Sequence, residues 1–200
     1  MAVTAAPLSE TRTTAPVVTS RKSLGLGAGW WYDWVDRNRV IGIILVGIIA
    51  TQLGTYFGYV FPAIGLPSLP WPLYNGVLGA PATDYGTAGS FFVGQTLHFV
   101  NGIVFAILYA VLALPLMPFR NTKGGNILSG LSYSIVMSII SAGLLVPYAY
   151  VPKQGYGLFV FYGPDKWKLP LGILVWHLIY GFFLGALFVT RPREADTADI

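Results

Sequence analysis

Four long apolar runs dominate the pattern of hydrophobic positions along this chain, and polar or proline-rich stretches separate them. Each run is close to the roughly 20 apolar residues that cross the hydrocarbon core of a bilayer. The pattern therefore predicts an all-α membrane protein, a four-helix transmembrane bundle with up-down-up-down topology. The predicted transmembrane helices lie near residues 40–61, 93–117, 127–146 and 171–189.

Small residues recur within these runs at steps of three or four, which places them on one face of each helix. Lipid tails offer helices no hydrophobic reason to associate, so helices in a bilayer pack where small side chains let their backbones approach. The stripes therefore predict tight seams between the four helices. The residues expected at these seams are Gly54, Gly58, Gly102, Ala106, Ser134, Ser138, Gly181 and Gly185.

The ends of the chain differ from its apolar middle. Residues 1–28 are polar and form a predicted tail without a core of its own. Residues 29–39 hold several tryptophans among charged residues, which is typical of a segment in the headgroup layer. Residues 40–190 form the predicted transmembrane domain, and residues 191–200 form a C-terminal tail.

Two long connections, 62–92 and 147–170, are rich in proline and aromatic residues. Loops of this length that remain apolar usually lie against another surface. We therefore expect them to cover one end of the bundle and to contact a partner.

Composition excludes several classes of protein. The chain is 54% hydrophobic and only 10% charged, whereas soluble domains carry about 25% charged residues. The absence of cysteine excludes disulfides, thiolate metal ligands and cysteine nucleophiles. Basic residues flank the apolar runs instead of forming a patch, so the lipid bilayer is an expected partner and nucleic acid is not.

The same basic residues predict an orientation. Lysine and arginine cluster before the first apolar run, between the second and third, and after the fourth. The positive-inside rule then places both termini in the cytoplasm. The expected location is the cytoplasmic membrane of a bacterium.

The two histidines, His98 and His177, are the candidates for cofactor binding, because ionisable residues within membrane spans are functional by default. Paired imidazoles could ligate haem b, and a quinone is the other candidate cofactor. Counted from Arg120 and Arg191, however, the two rings differ in depth by about 12 Å, which opposes a shared haem. A metal ion would need a third ligand, for which Asp84 is the nearby carboxylate. Interhelical hydrogen bonding is therefore the favoured role, with no cofactor and no metal expected.

Two further polar residues, Gln52 and Asn101, lie within the first and second predicted helices. Buried amides need partners, and each is expected to hydrogen-bond the other inside the bundle. No Asp, Glu, Lys or Arg lies within the four predicted helices. Because pumps and ion-coupled transporters generally place ionisable groups in mid-membrane, transport by a single protomer is disfavoured.

His98 and His177 each stand four residues before a glycine, Gly102 and Gly181. The shared H-x-x-x-G pattern predicts that the bundle is an internal repeat of two hairpins. Long spans that contain this motif resemble small four-helix membrane proteins of bacteria. The resemblance implies a fold and no chemistry.

These observations favour a non-catalytic accessory subunit of a larger integral-membrane complex. Candidate hosts are a respiratory or membrane-oxygenase assembly, whose other integral-membrane subunits would be the partners. One alternative is a haem- or quinone-binding membrane redox protein that uses His98 and His177. A second alternative is a small channel or transporter that works as an oligomer.

Overall fold

The computed structural model of the protein describes residues 29–79, 86–120, 122–150 and 165–189. This part of the chain is helical and contains no β-strand. It holds four helices long and apolar enough to cross a membrane, so the prediction of an all-helical integral membrane protein is confirmed. The predicted tails 1–28 and 191–200, together with Asp84, lie outside the described residues.

Six α-helices of nine residues or more make up most of the described chain. They are α1 Gly29–Arg37, α2 Arg39–Val60, α3 Trp71–Gly79, α4 Ala88–Leu108, α5 Lys123–Ile140 and α6 Lys168–Leu187. Three of them continue in other helical forms. Helix α2 is extended by a 3₁₀ turn, Phe61–Ile64. Helix α4 is extended by a π-helical turn, Tyr109–Ala113, and then by a short α turn, Leu114–Leu116. Helix α5 is extended by a π-helix, Ser141–Tyr150.

Threonine hydroxyls cap the N-termini of two transmembrane helices, several residues before their apolar runs start. Thr87 Oγ1 accepts a hydrogen bond from the Ser90 amide at 3.2 Å, and Thr122 Oγ1 accepts one from the Gly125 amide at 2.9 Å. Such caps satisfy backbone donors that have no partner within the helix. For this reason α4 and α5 begin several residues before the predicted starts at 93 and 127.

The transmembrane helices pack as neighbours in the order α4, α2, α6, α5. Helix α4 approaches α5 mainly at the end near the turn at residues 118–120. There the Tyr133 hydroxyl donates to the Phe105 carbonyl at 2.9 Å, and the Tyr133 ring lies 5.4 Å from that of Tyr109. Further from the turn, side chains line an open space between the two helices, which we call the α4/α5 seam.

Small residues lie where the helix backbones come closest. A Cβ atom at Gly102 would overlap the Thr51 hydroxyl, and one at Gly181 would overlap the Ser134 hydroxyl. Gly130 and Gly181 each lie against the carbonyl oxygen of the other. The remaining residues expected at the seams are also buried: Gly54, Gly58, Ala106, Ser138 and Gly185.

The connection between α2 and α4 folds back against the bundle. Its helix α3 packs on α4, where the absence of a side chain at Gly94 leaves room for the Pro72 carbonyl. Trp71 and Asn75 of α3 are only 4% and 2% exposed. This part of the connection therefore covers one end of the bundle and adds side chains to its interior.

The tryptophan-rich segment lies at the opposite end. Trp31 Nε1 donates to the Leu187 carbonyl at the end of α6, at 3.0 Å, and the Trp31 ring stacks on Trp34 with centroids 5.7 Å apart. Asp36 and Arg39 form an ion pair at 2.9 Å. Helix α1 is thus fixed to the bundle by an indole hydrogen bond.

The π-helix Ser141–Tyr150 was not predicted by the hydrophobic pattern. Pro147 lies inside it. Proline lacks an amide hydrogen, and in an α-helix its ring clashes with the carbonyl four residues earlier. The wider π-helical turn accommodates this proline, and such turns are frequent at functional sites.

Candidate functional site

A pocket lies in the α4/α5 seam, between the covering helix α3 and helix α6. Its empty space is about 520 Å³ when the open mouth is counted. Apolar and aromatic side chains form most of the walls, and the polar lining residues are Asn75, His98, Asn101, Ser141, His177 and Tyr180.

Both histidines line this pocket. Their ring centroids lie 5.5 Å (His98) and 5.1 Å (His177) from the Trp176 ring, so the predicted depth difference of about 12 Å is wrong. The count assumed that α4 and α6 end at the same depth, and the closeness of the two rings shows that they do not. Arg120 itself lies beyond the helix end and donates to the Pro115 carbonyl at 2.7 Å.

His98 belongs to a hydrogen-bond chain in which the donors and acceptors can be assigned. The Thr55 hydroxyl donates to the Thr51 carbonyl at 2.8 Å, so it accepts from His98 Nε2 at 2.9 Å. The Asn75 amide nitrogen donates to the Trp71 carbonyl at 2.8 Å and, with its second hydrogen, to His98 Nδ1 at 3.4 Å. A neutral His98 with its hydrogen on Nε2 fits both contacts.

Asn101 extends this chain, because its amide nitrogen donates to Asn75 Oδ1 at 2.9 Å. Gln52 has a different partner and accepts from Gln95 Nε2 at 3.4 Å. The predicted hydrogen bond between Gln52 and Asn101 is therefore wrong, and both side chains are half-buried. The physical reason is that α3, which the sequence pattern treated as part of a loop, places Asn75 beside Asn101.

These hydrogen bonds leave no free lone pair on the His98 ring. One ring nitrogen donates to Thr55 and the other accepts from Asn75. A haem held by both histidines would have to displace these bonds, so the geometry does not favour the haem considered from the sequence. Within the four described ranges, no group of three His, Cys, Asp or Glu residues is placed to hold a metal ion.

His177 differs from His98 in its hydrogen bonding. Its Nδ1 approaches the Ile173 carbonyl at 2.7 Å. A carbonyl can only accept, so Nδ1 carries the hydrogen and the neutral ring keeps a lone pair on Nε2. No described residue hydrogen-bonds Nε2, although the side chain is only 7% exposed. The hydroxyl of Ser141 also has no hydrogen bond to the described part of the chain.

Aromatic rings give the pocket rigid walls. Trp71 and Trp176 meet edge to face with centroids 5.9 Å apart. Trp176 stacks on Tyr180 at 5.8 Å with planes 8° apart. The Tyr180 hydroxyl donates to the Gly102 carbonyl at 2.6 Å, which fixes this stack of α6 side chains to α4.

Sequence reasoning identified the two histidines and Asn101 but missed the aromatic and polar residues around them. Trp71 and Asn75 are four residues apart, which places them on one face of a helix, and this spacing could have indicated an inward-facing pair. Thr55 follows the small residue Gly54 on the buried face of α2. The pairing of these residues with His98 depends on contacts between distant segments.

The chain matches no protein-family model, curated protein or solved structure. Functional inference therefore depends on the geometry of the pocket.

Proposed function

We propose that the protein binds a lipid-soluble molecule with a flat polar head group, of the quinone or phenol class, in the α4/α5 pocket. The observation that carries this proposal is the combination of aromatic walls with two polar groups, His177 Nε2 and the Ser141 hydroxyl, that have no described partner. Polar groups that line a pocket and have no partner in the described part of the chain are open to a ligand. The Trp176 indole nitrogen, which also lines the pocket, is buried without a hydrogen-bond partner there, and buried polar groups are normally hydrogen-bonded.

The shape and chemistry of the pocket support the same class of ligand. A flat ring can pack against aromatic side chains, stacked or edge to face, and Trp71, Trp176 and Tyr180 line the pocket. Phe105 and Leu145, which also line the pocket, are half-buried and apolar. They suit a hydrocarbon tail that remains near the lipid while the head group reaches the polar atoms.

Titration of the purified protein in detergent with decylubiquinone tests this proposal, because a quinone carbonyl can accept a hydrogen bond from the Ser141 hydroxyl in the pocket wall. We expect saturable quenching of tryptophan fluorescence, because Trp71 and Trp176 line the pocket. Ser141→Leu should fill the pocket and weaken binding at least tenfold. The matched control Leu144→Phe, at a residue 58% exposed on the same π-helix, should leave binding unchanged. Quenching that rises linearly without saturation would contradict the proposal.

The accessory subunit expected from the sequence is a second candidate function. One observation favours it. Only 22% of the residues in an 18-residue apolar stretch of the Ala88–Leu116 span are buried, against 44–50% in the corresponding stretches of the other three spans. A neighbouring membrane subunit could cover this face. Gentle extraction followed by native-size analysis separates the two candidates, since a lone 21.7 kDa chain that binds decylubiquinone supports the first.

We also propose that the turn at residues 118–120 faces the cytoplasm of a bacterium. The support is the excess of basic residues at this end of the spans. Because the chain has no cysteine, single-cysteine variants can report orientation. We expect a membrane-impermeant maleimide to label Lys166→Cys but not Lys123→Cys in intact cells. The reverse labelling pattern would show the opposite orientation.

The up-down-up-down bundle with a two-hairpin repeat is proposed on similar contacts in its two halves. Gly102, four residues after His98, lies against the Thr51 hydroxyl. Gly181, four residues after His177, lies against the Ser134 hydroxyl. In each hairpin the glycine of the H-x-x-x-G motif thus contacts a side-chain hydroxyl of the preceding span.

A further inference from the structure

We infer that the pocket selects ligands whose head group donates a hydrogen bond, and that His177 Nε2 is the acceptor. A phenol or a quinol, whose hydroxyl donates, should then bind more tightly than a quinone or an ether, which can only accept. This inference rests on the proposed function, because it concerns the ligand of the same pocket. It identifies His177 as the residue that determines specificity and the ligand as the donor of the hydrogen bond.

The direction follows from the partner of the other ring nitrogen. His177 Nδ1 is 2.7 Å from the Ile173 carbonyl, and a carbonyl oxygen has no hydrogen to give. The hydrogen of a neutral imidazole is therefore on Nδ1. Nε2 then presents a lone pair, which accepts a hydrogen bond and repels a second acceptor.

The surroundings favour the neutral form of this ring. No Asp, Glu, Lys or Arg is among the described residues that line the pocket, so none of these residues supplies a carboxylate that offsets a charge on the imidazole. Burial of an unpaired charge is costly, and the His177 side chain is 7% exposed. The ring therefore stays an acceptor at Nε2.

His98 cannot take this role, although it lines the same pocket. Its Nε2 donates to Thr55 and its Nδ1 accepts from Asn75. Both positions are satisfied within the protein, so a ligand gains nothing from His98 without breaking an existing bond. Among the two imidazoles, the selectivity is assigned to His177, and the Ser141 hydroxyl can complete the contact to the ligand oxygen.

A matched pair of ligands tests the inference. The probes are para-octylphenol and its methyl ether, which share the ring and the tail and differ in the donor hydrogen. In the wild-type protein we expect the phenol to bind at least tenfold more tightly, since one hydrogen bond contributes about a factor of ten. In His177→Phe we expect the two dissociation constants to agree within about twofold.

Two controls separate the outcomes. Thr55→Val removes the acceptor for His98 Nε2 and should retain the preference for the phenol. If His177→Phe does not fold, His177→Leu replaces it, and the loss of the preference for the phenol is then read from that variant. Equal binding of the two probes by the wild type would overturn the inference while leaving the proposed pocket intact. Failure of both probes and of decylubiquinone to bind would overturn the proposed function itself.

Discussion

Replacing Gly130 with alanine is expected to lower the melting temperature of the protein by about 10 °C. The added Cβ atom would overlap the Gly181 carbonyl oxygen, so α5 and α6 must move apart at their closest contact. Overpacking of this kind costs about 3 kcal/mol. Thermal unfolding in detergent, followed by size-exclusion chromatography of heated samples, measures the change.

Gly124, at the start of the same helix, provides a control. A Cβ atom there would meet nothing within 4 Å. Alanine is a better helix former than glycine by about 1 kcal/mol, so Gly124→Ala should leave the melting temperature unchanged or raise it slightly. A similar decrease in both variants would show that the contact between Gly130 and Gly181 is not the cause.

Replacing His98 with phenylalanine is expected to destabilise the protein by about 2 kcal/mol, which corresponds to roughly 4–8 °C in melting temperature. The substitution removes the acceptor for Asn75 and the donor to Thr55. Both partners are buried, and a buried polar group that loses its partner is costly. The same thermal assay in detergent measures the loss.

His177→Phe is the matched control for this substitution. His177 bonds the Ile173 carbonyl within its own helix, and that oxygen keeps the backbone environment of an α-helix when the imidazole is lost. We therefore expect a decrease of less than about 1 kcal/mol. A larger loss for His177→Phe than for His98→Phe would contradict the assigned hydrogen-bond chain.

The sequence predicts the transmembrane helices well because the physics is local. A bilayer demands about 20 apolar residues per crossing, and close packing in lipid demands small residues on one face. Gly102, Gly181 and Ser134 lie at the close helix contacts where that reasoning places them. The helix starts were less predictable, because a single hydroxyl such as that of Thr122 determines them.

The pocket was less predictable because its parts come from distant segments. Asn75 reaches His98 and Asn101 only because α3 folds back onto α4. The relative depth of His98 and His177 could not be counted along the sequence, because packing between the helices sets the level at which each helix ends. Hydrophobic periodicity carries no information about either event.

The most direct test of the central claim, that the pocket between the two histidines holds a ligand, compares two tryptophan variants in the decylubiquinone titration. Trp176 lines the pocket, whereas Trp30 is 69% exposed on α1. We predict saturable quenching whose amplitude falls clearly in Trp176→Phe and stays near the wild-type value in Trp30→Phe. Quenching of equal amplitude in both variants, without saturation, would contradict the claim.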